Sequence, residues 1–159
     1  LFGVVALVES IRVLKKLGME PISNYERKLT KYTLERLKEV PNIVVYDDED
    51  IKNKVSIISF NIRGLHHGLV AAALSMEGGI GIRSGCFCAQ PYIQKLLKIN
   101  VEEMDKYKRN RDIPRPGTVR ISYGMYNSFD EINVLIELLK QIGNNIDYYN
   151  YKYKSLLST

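Results

Sequence analysis

Apolar side chains return every three or four residues over the first stretch of the chain, FGVVALVESIRVLKKLG. These positions are Val4, Leu7, Val8, Ile11, Leu14 and Leu17. The spacing predicts a helix, and Gly18 is a typical residue to end it. A second helix is predicted to begin at Ser23, because Glu26 three residues later completes a capping-box pattern. Its apolar positions continue to Val40, just before Pro41.

Runs of β-branched residues predict strands farther along. They are NIVVY at 42–46, VSIISFNI at 55–62 and GTVRISYG at 117–124. HHGLVAAALSME at 66–77 predicts a short helix, and GGIGIRSG at 78–85 returns to extended chain. Another helix is predicted at 91–99, with Pro91 in its first turn. A last helix is expected to open at Asn127 or Ser128, where SFDE is a capping box, and to end at Gly143.

Helices and strands are mixed along the chain without a strict βαβ repeat. With 45% hydrophobic residues, the 159-residue chain can bury the core of one domain of ordinary size. The predicted fold class is therefore α+β, with a small mixed or antiparallel sheet covered by helices.

The net charge of +5 does not indicate a nucleic-acid partner, because acidic residues lie beside most of the basic ones. The densest basic run, KYKRNRDIPRP, is expected in a loop. The tail DYYNYKYK is expected to pack tyrosine rings on the body and leave lysines in water. No apolar run is long enough to cross a membrane, and no signal peptide is apparent. Two cysteines in the whole chain favour a cytoplasmic location.

Both cysteines stand in RSGCFCAQP, at positions 86 and 88. A disulfide between them would close too short a loop, which leaves a reactive thiol, a metal-ligand pair or two small buried side chains. A metal site would add the two histidines, His66 and His67, although C-x-C is tighter than the usual zinc spacing. The simpler expectation is that one ring caps the turn after Gly64 and the other stays solvated.

GIRSGCFCAQPY, followed about thirty residues later by PGTVRISYGMYNSFDEINVL, resembles the C-terminal part of the class V aminotransferase family. These are fold-type I enzymes that use pyridoxal phosphate, and they include the cysteine desulfurases. The resemblance implies that Cys88 attacks the substrate sulfur and becomes a persulfide, and that Arg120 binds the substrate carboxylate. It places Arg83 as a second arginine near an active-site loop. The other residues of that loop are Ser84, Gly85, Cys86 and Gln90.

The implied chemistry suits these residue types. A thiolate is both a soft nucleophile and able to hold sulfur reversibly as a persulfide. A guanidinium can pair with both oxygens of a carboxylate. The resemblance further implies L-cysteine as the amino-acid substrate, a sulfur-acceptor protein and a homodimeric enzyme.

A pyridoxal-phosphate enzyme needs a lysine for the cofactor, and this family places it after a histidine. Neither His66 nor His67 is followed by lysine. The cofactor is therefore expected to be bound mainly by an upstream domain, and the chain alone is expected to be inactive. On this interpretation residues 1–18 end a linking helix, 19–143 form the small C-terminal domain, and 144–159 are a Tyr/Lys-rich tail.

The sequence also departs from the desulfurase pattern, which commonly has polar residues, often histidine, where Cys86 and Phe87 stand. Cys86 is either a relay thiol on the same face of extended chain as Cys88 or a small packed side chain. If Cys88 is only structural, the parent enzyme is a class V aminotransferase, lyase or epimerase. A noncatalytic interaction domain, docking through the apolar face of the first helix, or a metal-binding module, is the further alternative.

Overall fold

Helices and short strands build the part of the chain described by a computed structural model, residues 2–46, 55–110 and 113–157 without the Lys108 side chain. In chain order they are α1 (Phe2–Leu17), α2 (Met19–Leu37), β1 (Ile43–Val45), β2 (Ile57–Ile62), α3 (His67–Gly78), β3 (Arg83–Gly85), α4 (Gln90–Leu96), α5 (Val101–Arg109), β4 (Thr118–Ser122), α6 (Phe129–Asn144) and α7 (Ile146–Tyr153). A short 3₁₀ helix, Lys154–Leu157, follows.

The four strands form one sheet in the order β1-β2-β4-β3, and every neighbouring pair is antiparallel. The α+β prediction is confirmed, and of the two sheet types it allowed the structure has the antiparallel one. In the register between β2 and β4, Ser59 lies opposite Arg120 and Phe60 opposite Val119. On the other side of β4, Arg83 of β3 lies opposite Arg120.

Alternation along the strands gives the sheet a covered face and an open face, because successive side chains point to opposite sides. The buried side chains of the covered face are Ile58, Phe60 and Ile62 from β2 and Val119 and Ile121 from β4. Helix α3 packs against β2 and β4, while α6 packs against α2 and α3. The polar positions of β2 and β4, including Ser59, Asn61 and Arg120, share the open face.

The first two helices correct one prediction. Helix α1 forms as its spacing predicts, but none of its residues is buried. Helix α2 begins at Met19, directly after Gly18 at φ 84°, so the capping box predicted at Ser23 is wrong. Ser23 lies inside the helix, and the Glu26 carboxylate accepts a hydrogen bond from the Ser56 hydroxyl instead.

The later helices confirm one cap and reveal a missed helix. Ser128 and Glu131 form the predicted capping box of α6. The basic run expected in a loop instead begins inside α5, whose capping box uses Asn100 and Glu103. The tail forms α7 and buries the rings of Tyr149 and Tyr153, with Lys152 exposed.

Within the described residues, no helix combines the length and apolar character that a membrane crossing requires. The proposed division at residues 18/19 and 143/144 stays a prediction.

Candidate active site on the open face of the sheet

Two arginines occupy opposite positions on neighbouring strands of the open face. Arg120 lies on the central strand β4, and Arg83 lies directly opposite on the edge strand β3. Directly opposite side chains on an antiparallel pair lie about 4.5–5.5 Å apart at Cβ, where like charges repel. Neither guanidinium pairs with an acid in the described part of the chain. The pair therefore makes a concentrated positive surface suited to an anion such as a carboxylate.

Arg120 is also held on one side by an aromatic ring. Its guanidinium carbon lies 4.7 Å from the centroid of the Phe87 ring. This cation–π contact occupies a face of the guanidinium and leaves its N–H edge for hydrogen bonding. The Arg120 Nε atom is buried and has no hydrogen-bond partner among the described residues. Because buried donors are nearly always hydrogen-bonded, we expect an acceptor for this atom from outside the described residues.

The two cysteines lie within one tight turn, Cys86 at its first position and Cys88 at its third, and not on an extended segment. The Ala89 amide donates to the Cys86 carbonyl at 2.8 Å, and both central residues of the turn, Phe87 and Cys88, have positive φ of 53° and 58°. Positive φ at both central positions is the signature of a type I′ turn, which normally uses Asn or Gly. The conformation costs about 1–3 kcal/mol for each such residue. Gly85, at φ 114°, supplies the left-handed backbone that leads into the turn.

The turn separates the two thiols into different environments. Cys88 is exposed at the second central position. Cys86 is half-buried, and its Sγ donates a hydrogen bond to the Pro116 carbonyl at 3.3 Å. Burial raises the pKa of the Cys86 thiol, with the nearby Arg115 charge opposing this only in part. The idea that both cysteines share a face of extended chain is therefore wrong, because the chain reverses between them.

The remaining predicted loop residues divide between two sides. Ser84 lies opposite Val119, so its position belongs to the covered face and not to the face of Arg120. Gln90 is exposed at the start of α4. With Cys86 and Pro116 it lines a small cavity of about 50 Å³. The structure thus brings together Arg83, Arg120 and the turn, while Ser84 points elsewhere.

The two histidines hold a backbone carbonyl. Gly68 donates its amide to His66 Nδ1, so the neutral His66 ring carries its proton on Nε2 and donates it to the Arg115 carbonyl at 3.0 Å. His67 Nε2 lies 3.0 Å from the same oxygen. His66 caps α3 as predicted for one ring. His67 is not solvated as expected of the other, and its burial lowers the pKa of its imidazole.

The metal alternative lacks its geometry in the described residues. Among them, no cluster of three or more His, Cys, Asp and Glu side chains could hold a metal ion. His66, His67 and Cys86 each bond to a backbone carbonyl instead.

Sequence reasoning missed Phe87 and Pro116. In the sequence, Phe87 stands out only because desulfurases commonly have a polar residue there. An aromatic residue in the same predicted site as a carboxylate-binding arginine is itself a signal for a cation–π contact. Pro116 gave no signal, because its role lies in a carbonyl oxygen that every residue has.

Comparison with known proteins places the chain in a family. The family model "Aminotransferase class-V" matches residues 1–135. A probable cysteine desulfurase of Pyrococcus abyssi is 34% identical over 88% of this chain and 30% of its own length. A cysteine desulfurase of Wigglesworthia glossinidia brevipalpis is 32% identical over 93% of this chain and 31% of its own length. The chain thus spans just under a third of each relative.

Solved structures agree on the fold. The apo structure of cysteine desulfurase from Thermococcus onnurineus NA1 matches with a TM-score of 0.68 and 33% identity, covering 84% of this chain and 29% of that one. The cysteine desulfurase CsdA from Escherichia coli, in an S-sulfonic acid form, has the same TM-score over 87% of this chain and 29% of its own. At 22% identity that second likeness speaks for the fold alone. From the extent of the family match, this chain belongs to the class V aminotransferases.

Proposed function

We propose that this chain is the C-terminal domain of a pyridoxal-phosphate-dependent cysteine desulfurase and that Cys88 is its sulfur acceptor. The observation that carries the proposal is the contrast between the thiols. Cys88 is exposed on a strained turn next to a ring that contacts Arg120, whereas Cys86 is half-buried and hydrogen-bonded. Strained backbone concentrates at functional positions. The relatives named cysteine desulfurases support the reaction.

The described residues are better suited to binding the substrate than to binding the cofactor. Two guanidinium groups that have no acidic partner among the described residues, one of them with a buried and unpaired Nε, suit an anionic carboxylate. Both histidines hold the Arg115 carbonyl, and neither precedes a lysine. Pyridoxal phosphate, when bound, supplies the electron sink for bond cleavage in the amino acid. We assign its binding mainly to an upstream domain and none of it to a residue of this chain.

Arg120 positions the substrate in this proposal. Its N–H edge pairs with the α-carboxylate of L-cysteine, while the Phe87 ring holds the guanidinium plane from one face. Arg83 adds positive charge from the neighbouring strand without a described acid to neutralise it. When the carboxylate is held in this way, the substrate is oriented so that its thiol faces Cys88.

The sulfur step then balances as a transfer to Cys88. The Cys88 thiolate attacks the sulfur of L-cysteine, an S–S bond forms, and the bond between that sulfur and the substrate β-carbon breaks. The electron pair of the broken bond stays with the β-carbon, which gains a proton, and alanine is the product. Cys88 then carries a persulfide, and its exposure lets a sulfur-acceptor protein reach it.

A cytoplasmic, homodimeric enzyme completes the proposal. Both thiols are free, which suits a reducing compartment. Homodimeric assembly rests on the family resemblance.

The test uses the full-length protein loaded with pyridoxal phosphate and supplied with L-cysteine and a dithiol reductant, which reduces the Cys88 persulfide and releases its outer sulfur as sulfide. We expect alanine and sulfide in equal amounts from the wild type, and neither above background from Cys88→Ala, since no other exposed thiol lies in the described chain. The cofactor absorption spectrum is the control and should be unchanged in the variant. Keto-acid exchange that ignores the mutation, with no sulfide, would contradict the proposal and indicate a transaminase. Loss of the cofactor spectrum would instead give Cys88 a structural role.

A further inference from the structure

Three consecutive carbonyl oxygens just before β4 each accept a hydrogen bond from a side chain of a different part of the fold. The donors come from the start of α3, from the cysteine turn and from β2. The pairs are His66 and His67 with Arg115 at 3.0 Å, Cys86 with Pro116 at 3.3 Å, and Asn61 with Gly117 at 2.9 Å. Side-chain bonds on three successive carbonyls fix this segment much as a strand ladder would.

The same segment is pressed against the base of the turn. A Cβ added at Gly117 would lie 2.7 Å from the Gly85 Cα and 2.7 Å from His67 Nε2. Real Cβ atoms do not approach other heavy atoms so closely, so the absence of a side chain at Gly117 allows the contact. The segment runs directly into β4, which carries Arg120. Cys86 therefore joins the turn that presents Cys88 to the strand that presents the carboxylate-binding arginine.

We propose that Cys86 is a positioning residue whose thiol, donating to the Pro116 carbonyl, holds the Cys88 turn in place relative to Arg120. This inference rests on the proposed function, because it assigns Cys86 to the geometry of that same site. It also decides between the two roles left open by the sequence. A relay thiol would need a free thiolate near Cys88, whereas Cys86 is half-buried and its Sγ is engaged with a carbonyl.

The strain of the turn explains why a tether is needed. Phe87 and Cys88 hold positive φ angles that neither residue favours, so the turn persists only while its surroundings determine it. Three contacts do so: the Ala89 amide on the Cys86 carbonyl, the Phe87 ring on Arg120, and the Cys86 thiol on Pro116. Without the third, the turn can relax and Cys88 spends less time in position.

The experiment compares Cys86→Ala with Cys86→Ser in the full-length, cofactor-loaded protein, with Ser75→Ala on the exposed surface of α3 as the matched control. Serine keeps a donor of similar size, and alanine removes it. We expect kcat for sulfide release to fall roughly threefold to tenfold in Cys86→Ala, as for one lost hydrogen bond, with KM for L-cysteine nearly unchanged. Cys86→Ser should recover most of the rate.

Hydrogen exchange at the Ala89 amide gives a second readout that needs no turnover. This amide closes the turn on the Cys86 carbonyl, so it should exchange faster in Cys86→Ala and at the wild-type rate in Cys86→Ser and Ser75→Ala. Equal loss of turnover in both Cys86 variants would overturn the inference in favour of thiol chemistry. Wild-type turnover and exchange in both would overturn it by removing the tether. If the wild type itself makes no sulfide, the proposed function fails, and amide exchange alone decides the tether.

Discussion

The two faces of the sheet differ in how completely their buried polar side-chain atoms are hydrogen-bonded. On the covered face, apolar residues are buried, and the hydroxyls of the tyrosines packed there have partners. The partly buried Tyr123 bonds Thr33 at 2.6 Å, and the buried Tyr149 and Tyr153 bond the Glu77 carboxylate. On the open face, Asn61 Oδ1, Thr118 Oγ1 and Arg120 Nε are buried without partners among the described residues. Two further buried atoms of this kind, Arg36 Nε and His67 Nδ1, lie on helices α2 and α3. The two opposed arginines have no acid among the described residues.

We infer from this difference that one face stabilises the fold and the other binds a ligand. Buried polar atoms are nearly always paired, so three unpaired atoms on neighbouring strands of the open face, beside a strained turn, mark a surface that a bound group would complete. The covered face should therefore govern stability, and the open face should govern substrate binding.

The largest expected effect is on the covered face, at Phe60. Its ring is fully buried on β2, so Phe60→Ala should lower the free energy of unfolding by about 3–5 kcal/mol through lost burial and a cavity. Ser59→Ala, one residue away on the open face, should change it by about 0.5 kcal/mol or less. Chemical denaturation followed by circular dichroism measures both. Similar losses in the two variants would erase the distinction between the faces.

The next effect has the opposite character. Under the proposed function, Arg120→Ala in the full-length, cofactor-loaded protein should raise KM for L-cysteine roughly tenfold to a hundredfold, because the substrate carboxylate would lose a charged hydrogen-bonding partner. Its stability should hold or rise slightly, since the substitution removes both the charge opposite Arg83 and an orphan Nε. Arg120→Lys keeps the charge but not the planar fork, so its KM should lie between. Steady-state kinetics and thermal denaturation of the same samples test this, and an unchanged KM would remove Arg120 from the site.

Local patterns predicted much of the covered half. The apolar alternation in VSIISFNI and the SFDE cap correspond directly to β2 and to the start of α6, because each depends on residues close in sequence. The helix start predicted at Ser23 is wrong, because Gly18 at positive φ already separates the two helices and α2 begins at Met19. Helix α5 was missed because its basic residues were interpreted as a loop, although Asn100 and Glu103 fit a capping box.

The open face was harder to predict. The motifs predict roles for Cys88 and Arg120, and these roles stay predictions. The surroundings of the two residues depend on register and turn geometry. Nothing in the sequence states that Arg83 lies opposite Arg120, or that Phe87 and Cys88 both adopt positive φ. The partner of the Cys86 thiol is a backbone carbonyl thirty residues away, which no side-chain pattern can reveal.

The smallest expected effect on stability concerns Glu77 of α3, which bonds to side chains of α7. Its carboxylate accepts hydrogen bonds from Lys152 at 2.7 Å, Tyr153 at 2.7 Å and Tyr149 at 3.0 Å. The bond from Lys152 is the main cause that lowers the pKa of Glu77, with the tyrosines adding to it and partial burial opposing it. The same cluster contributes to raising the pKa of Tyr149 to about 12, for which burial is the larger cause.

Glu77→Gln keeps the shape and one acceptor oxygen but loses the charge, so it should lower the free energy of unfolding by about 1 kcal/mol at neutral pH, as expected for a partly exposed ion pair with added hydrogen bonds. Because the folded-state pKa of Glu77 is depressed, the unfolded chain binds more protons in acid, and the advantage of the wild type is present above the ordinary glutamate value of 4.5. It should shrink as pH falls through the lower, folded-state pKa. Denaturation of both proteins across pH 3 to 7 checks this, and a difference that grows on acidification would contradict the assignment. On the open face no carboxylate of the described chain pairs with Arg83 or Arg120, so the stability difference between Arg120→Ala and the wild type should show no such convergence over the same pH range.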